Sequence, residues 1–198
     1  MPKVVPEYKE KAMRTIIEAG AYAFTEKGYH QTKMDDIAKK VGVSKGAIYQ
    51  YFKSKEQLFF EVIEFILESQ KDEVMSIILS NDLMRIASAE FFETKIERVL
   101  QTRAFGLDLF IEASRSDAFR ERIAEIYQKS YDELLKHAKD LKKKGIIKKN
   151  ADVGTIWRGI VALRDGLLSS VSFGADVSDA KKTWEEVTTI LLKEILVE

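Results

Sequence analysis

Apolar positions along the chain follow helical spacing, and the whole reads as about nine helices and no sheet. The first helix is expected over Tyr8–Lys27, with Met13, Ile16, Ile17, Ala23 and Phe24 on its inner side and Gly28 as its stop. Met34, Ile37, Ala38 and Val41 then keep the i, i+3, i+4, i+7 spacing of one buried face. Gly42 supplies a tight corner, because a residue without a Cβ takes positive φ at little cost. Ser44 is placed to N-cap a short helix over Lys45–Phe52, in which Ile48 and Phe52 pack inward against the small Ala38. Ser54 and Gln57 form a capping-box pattern, opening a helix striped by Leu58, Phe59, Val62, Ile63 and Ile66. Ser80-Asn81-Asp82 breaks the stretch 72–93 into two helical pieces, and 94–113 is helical again. Ser116-Asp117 starts a long helix toward Lys144, stopped by lysines in its last turn and by Gly145. Asp152 caps a helix to about Ser172, Gly174 breaks it, and Ser178 begins a last helix that ends near Leu196.

The stretch Thr32–Lys55 is the most informative, because two short helices about a tight corner read as a helix-turn-helix. Its second helix leaves Lys45, Gly46, Tyr49 and Gln50 on the face opposite Ile48 and Phe52. A cation, a backbone able to approach closely, a phenol and an amide suit phosphates and base edges in a major groove. The same spacing also fits an αα-hairpin whose polar face is merely solvated.

The residues Gly28-Tyr29, Thr32, Ile37-Ala38, Gly42-Val43-Ser44, Gly46, Tyr49, Tyr51-Phe52 and Ser54-Lys55-Glu56 together resemble the N-terminal signature of TetR-family transcriptional regulators. The likeness covers roughly residues 8 to 60. Tyr51 departs from it, since many members carry His there, but an aromatic ring with a polar tip is kept. The resemblance implies an all-α fold with an N-terminal three-helix DNA-binding domain over 1–54 and a helical effector-binding and dimerisation domain over 55–198. It implies a homodimeric regulator, a repressor, that binds a palindromic operator on double-stranded DNA and is released by a small apolar effector. The expected DNA-binding set is Thr32, Ser44, Lys45, Gly46, Ala47, Tyr49, Gln50, Tyr51 and Lys55. Thr32 and Ser44 would help the free amides of two helix N-termini hold phosphates. Tyr49, Tyr51 and Lys55 would grip the backbone, while Lys45 and Gln50 have the reach to read bases.

Charge agrees with a head that meets a polyanion. Net charge is zero, yet residues 1–55 hold eleven Lys/Arg against six Asp/Glu, and the rest of the chain is acidic by the same margin. Hydrophobic residues at 45% and charged residues at 32% are an ordinary soluble balance, and Pro2 and Pro6 both precede the first helix. No run of eighteen apolar residues and no signal-peptide core occurs, which sets the expectation of a cytoplasmic protein without membrane contact. The chain has no cysteine and only His30 and His137, far apart, so no metal site and no cofactor are expected. No Glu-x-x-His, glycine-rich phosphate loop or serine elbow is present, and Asp35-Asp36 reads as a complement to a helix dipole, so no catalytic residue is assigned.

The last two helices are too apolar for a monomer's surface. Val153, Ile156, Trp157, Ile160, Val161, Leu163, Leu167, Leu168 and Val171 wrap more than half of one, and Trp184, Val187, Ile190, Leu191 and Ile195 do the same for the other. Gly159, Ala162 and Gly166 form a small-residue stripe. One reading is a plain interior pair; the other, which the resemblance implies, is a four-helix interface between two copies. The middle of the chain is rich in aromatics, and Phe105, Leu109, Trp157, Val161 and Arg164 are the expected effector-binding residues, with Arg103, Asp108 and Arg158 as further polar anchors. Arg164 either pairs with a carboxylate such as Asp108, snorkels, or takes an anionic ligand group. A fatty acyl compound would suit such a site, as it does in some members of the family the chain resembles. Two other classes stand beside the regulator: a constitutive DNA-organising protein without ligand, and an all-α enzyme.

Overall fold

The computed structural model describes residues 6–197, apart from the side chains of residues 6–8, 70, 103 and 104. Among them are nine α-helices: α1 Pro6–Gln31, α2 Met34–Val41, α3 Lys45–Tyr51, α4 Lys55–Ser80, α5 Ala89–Gln101, α6 Arg103–Arg115, α7 Asp117–Lys143, α8 Val153–Ser172 and α9 Val177–Ile195. A 3₁₀ turn, Leu83–Ala87, follows α4. The one extended pairing described is an isolated antiparallel bridge between Ile147 and Leu196. Arg103, expected as a polar anchor, has its side chain outside the described residues.

The expected stops and starts are largely made by the residues that signalled them. Gly28 sits at φ 78°, ψ 164° and breaks the helical path, although a last turn continues to Gln31. Gln57 donates its N–H to Ser54 Oγ at 3.0 Å, and its side-chain oxygen reaches back to the Lys53 N–H at 2.7 Å. Asn81 at φ 58° turns the chain after α4, and Gly145 at φ 75° does so after α7. Several boundaries differ, two of them for a definite reason. The stretch 94–113 is interrupted at Thr102, whose φ −117° and ψ 25° leave the helix and whose carbonyl accepts the Gly106 N–H as α6 begins. The last helix is capped by Asp176 rather than Ser178: its carboxylate accepts the N–H groups of Ser178 and Asp179 at 2.8 and 3.0 Å. A carboxylate two residues upstream out-competes the serine because a charged acceptor makes the stronger cap bond.

The described residues fold as two compact units, the first through Ser69 with Thr102–Ala124, the second Gln70–Gln101 with the described residues from Glu125. The first unit thus runs into α4 and includes α6 beside the first three helices. In the first unit Phe59 is the hub, with Phe24 edge-on at 5.1 Å, Tyr29 at 4.5 Å and Phe105 at 5.1 Å between ring centroids. Helices α1 and α4 meet at Gly20, where an added Cβ would stand 3.3 Å from a Val62 methyl, so a larger residue would force them apart.

The second unit is built around Trp184, 1% exposed. Its ring lies parallel to Phe92 at 4.9 Å and 9°, and its indole N–H reaches the Ile86 carbonyl at 3.0 Å. Ile160 and Val171 of α8 and Leu192 and Ile195 of α9 complete this core. A buried indole therefore combines a large apolar surface with a satisfied donor. Trp184→Ala should cost about 3–5 kcal/mol of unfolding free energy, whereas Leu79→Ala, at a side chain that is 71% exposed, should change it by less than about 0.5 kcal/mol. Urea unfolding of both variants decides it; equal midpoints would remove Trp184 from the centre of this core.

Candidate nucleic-acid interface and effector site

The corner between α2 and α3 forms as its residue types require. Gly42 lies at φ 79°, ψ 29°, and its N–H returns to the Ala38 and Lys39 carbonyls at 3.0 and 3.2 Å. Ser44 is extended at φ −73°, ψ 153°, and its Oγ accepts the Ala47 N–H at 3.2 Å. Ile37, Ala38, Ile48 and Phe52 are buried, which orients α3. Lys45, Gly46, Tyr49 and Gln50 are exposed, with Ala47 and Tyr51 half-buried beside them. Six of the nine expected contact residues thus lie together on α3, behind the exposed cap Ser44.

Lys45 is not a bare cation. Its ammonium stands 3.0 Å from a carboxylate oxygen of Asp35, and that bond raises the lysine above its ordinary pKa. Asp35 therefore does more than complement a dipole, the role sequence reasoning gave it. Asp36 supplies the cap of α2, accepting the Lys33 N–H at 3.4 Å; that hydrogen bond, aided by Lys27, holds its carboxyl below the usual range. Lys40 lies 3.3 Å above the Tyr22 ring, a cation–π contact invisible in the spacing.

Two expected contact residues are placed elsewhere. Thr32 is buried, its hydroxyl 2.7 Å from the Gly28 carbonyl and 3.0 Å from that of Ala23, and Lys33 takes the N-cap position of α2. Lys55 turns back to the end of α1, where its ammonium donates to the carbonyls of Tyr29 at 2.7 Å and Thr32 at 3.2 Å and stands 4.3 Å over the Tyr29 ring. Burial holds this lysine below its ordinary pKa, against the pull of Glu112 and Asp108. Helix-terminal carbonyls need donors, and these two side chains meet that need instead of facing outward. Tyr29 shares the corner: burial first, then Glu56 and Glu112, push its phenol up to about 12. Asp108 of α6 accepts the Tyr29 N–H, and Glu112 of α6 stands 2.9 Å from His30. Asp108 is accordingly engaged with α1.

The five expected effector residues divide. Phe105 is buried against Phe59, and Leu109 lies on the same helix, both in the first unit. Trp157, Val161 and Arg164 line a small cavity in the second unit, with Phe91, Lys95 and Trp184. Its free volume of about 20 Å³ has room for about one water. Arg164 pairs with its neighbour Asp165 at 2.8 Å, and Arg158 stacks over the Tyr131 ring at 4.3 Å. Lys95 was missed by sequence reasoning, although its position four residues after Phe91 puts it on the apolar face of α5. Among the described residues no cluster of His, Cys, Asp or Glu could hold a metal ion, and no helix is long and apolar enough to cross a membrane.

A family model for bacterial regulatory proteins of the tetR family matches residues 16–62, the segment that holds the α2–α3 corner. The uncharacterized HTH-type transcriptional regulator YfiR of Bacillus subtilis is 41% identical over 63 residues, covering 32% of this chain and 31% of that protein. The matching segments span about a third of the length of the first curated relatives. A tetR-family regulator from Mesorhizobium loti shares the fold with a TM-score of 0.75 and 22% identity over 96% of this chain and 98% of that one. The transcriptional regulator FadR from Bacillus subtilis, solved in complex with stearoyl-CoA, shares it with a TM-score of 0.65 and 22% identity over 92% and 98% of the two chains. These relatives are transcriptional regulators. Spacing, corner geometry and family match agree over residues 16–62, the segment in which this chain matches the tetR family of bacterial regulatory proteins.

Proposed function

We propose that this regulator is a homodimeric repressor that reads a palindromic operator through α3 and is released by a small apolar effector. Gly46 is the observation that carries the DNA reading. A Cβ added there would meet nothing nearer than the Ser44 hydroxyl, at 3.9 Å, and its φ is not positive. Neither packing nor backbone geometry calls for glycine, yet glycine inside a helix costs about 0.5–1 kcal/mol relative to alanine. The reason lies outside the chain, in a partner whose surface comes close to the backbone. With Lys45 and Gln50 on the same exposed face, a groove edge with phosphates on one side and bases beneath is that partner. Lys45 would leave Asp35 for a phosphate or a guanine edge, and Tyr49 and Tyr51 would bond the backbone.

Dimerisation is supported by what α8 and α9 leave uncovered. Most of their apolar surface is consumed inside the second unit. Gly159, Ala162 and Gly166 remain exposed on one side of α8, and Ile190 is 67% exposed on α9. Small residues let a second helix come close, and a two-fold pair places two reading helices on half-sites about 34–36 Å apart. An effector site in the second unit is supported by the cavity between Trp157 and Trp184. The acyl ligand held by the structurally similar FadR favours an effector of that class.

Two outcomes follow. Gly46→Ala should raise stability by about 0.5–1 kcal/mol and yet weaken operator binding about tenfold or more, as a clash of ~1–3 kcal/mol does. Gln50→Ala should relax preference at particular base pairs by about 1–3 kcal/mol. Site selection from random DNA with both variants checks this, and a Gly46→Ala protein that bound as well as the parent would end the reading. Gly166→Glu, where a side chain meets nothing within 4 Å in the single chain, should stay folded, sediment as a monomer and lose specific binding. A parent protein that itself sediments as a monomer at micromolar concentration would refute the dimer.

A further inference from the structure

Lys95 is the least expected side chain of the second unit. It is 6% exposed, on α5 between Phe91 and Ile96, and its ammonium lies 4.4 Å from the Phe91 ring. A buried ammonium needs a counter-charge, and Glu73 of α4 provides it through a direct bond to Nζ. Both residues belong to the same unit, so this tie joins α4 to α5 inside it. The same lysine lines the small cavity, and so does Arg164. The walls otherwise carry Phe91, Trp157 and Trp184, two of them the chain's only tryptophans.

The two cations that line this cavity are each held by one acid. Burial lowers Lys95 most, Glu73 opposes that, and Arg98 and Arg164 add to the lowering. Asp165, the partner of Arg164, is more than half exposed, and Glu73 is about one-third exposed. Either acid is therefore able to return to water if another anion takes its place, whereas Lys95 is not.

We infer that this cavity is a carboxylate-recognition site, in which Lys95 and Arg164 together take the anionic head of an apolar monocarboxylate and Glu73 is the internal counter-ion that the ligand displaces. The inference rests on the reading of the second unit as the effector site and deepens it by naming the head group and the switching pair. The apolar body would lie against Trp157, Trp184 and Phe91. In the free state the Glu73 bond holds the side chains closed around a space of about one water, so entry of the acid and loss of the α4–α5 tie are one event. A ligand shifts such a balance only by its difference in affinity for the two states, and here that difference is the exchange of one carboxylate for another plus the aromatic contacts. Glu73 thus keeps Lys95 charged and buried while no ligand is present.

The test titrates the full-length protein with octanoate and, as the uncharged control, octanamide, following tryptophan fluorescence without DNA. The expected result is a saturable change with octanoate and none with octanamide. Lys95→Met should weaken octanoate binding about tenfold or more, as loss of a charge-assisted bond does. Glu73→Gln, which keeps the shape and removes the competing charge, should tighten it several-fold. If Lys95→Met does not fold, the Glu73→Gln variant and the amide control decide. Equal response to acid and amide, no saturation by octanoate at low millimolar concentration, or weaker binding in Glu73→Gln would each overturn the assignment. Octanoate binding that leaves operator affinity unchanged would instead sink the effector-release reading and leave the carboxylate site standing.

Discussion

The end of α1 is the constraint on which the reading head depends. A helix that stops inside a protein leaves carbonyls without amide partners, and buried ones must find donors. Here the chain breaks at Gly28, whose carbonyl accepts the Thr32 N–H at 3.3 Å, and two side chains from other positions add donors: the Thr32 hydroxyl beside the Gly28 and Ala23 carbonyls, and the Lys55 ammonium for Tyr29 and Thr32. Thr32 precedes α2 and Lys55 opens α4, so satisfying those carbonyls also fixes where both helices begin. Helix α3, held between them by Gly42 and Ser44, has its exposed face set by that arrangement. The aromatic hub at Phe59 packs beneath the same corner. Polar satisfaction and apolar packing thus enforce one geometry, which is what makes a short helix of seven residues definite in position.

Much of this was legible in the residues. Met34, Ile37, Ala38 and Ile48 are buried where their spacing put them, and Gly42, Ser44, Asn81, Gly145 and Asp152 turn or cap the chain as their chemistry suggests. Such signals are local: one residue type meets one backbone need. What escaped was nonlocal. Thr32 and Lys55 carry groups equally fit for a phosphate or for a carbonyl, and only the path of α1 decides between them. The break at Thr102 lacks any glycine, proline or asparagine to announce it. Phe105 reads as pocket lining in a helical stripe, yet the return of α6 to the first unit makes it core. Lys95 was not singled out at all, because composition does not say that its partner stands twenty-two residues earlier on another helix.

The two units spend their charges differently. On α2 and α3 cations and acids sit in water, where an exposed pair contributes little to stability and is free to exchange partners. In the second unit Lys95 is buried, and losing the counter-charge of Glu73 without a replacement would leave that lysine with a costly burial. The first arrangement suits contact with a large polyanion, which acts through many weak charges at once. The second suits a single small ion, whose arrival alters one bond.

The Asp35–Lys45 pair also bears on how fast a target is found. A protein that approaches DNA by its general charge slides along it, and every free cation on the sliding surface lengthens its stay at irrelevant positions. Asp35 keeps the foremost lysine of α3 neutralised within the chain, at 3.0 Å, and holds a negative charge toward passing phosphates. On the proposed reading of DNA through α3, loose encounters would thereby be kept brief, and the lysine would be surrendered only where a groove fits closely enough to replace the carboxylate, so one surface acid would separate dwelling from passing.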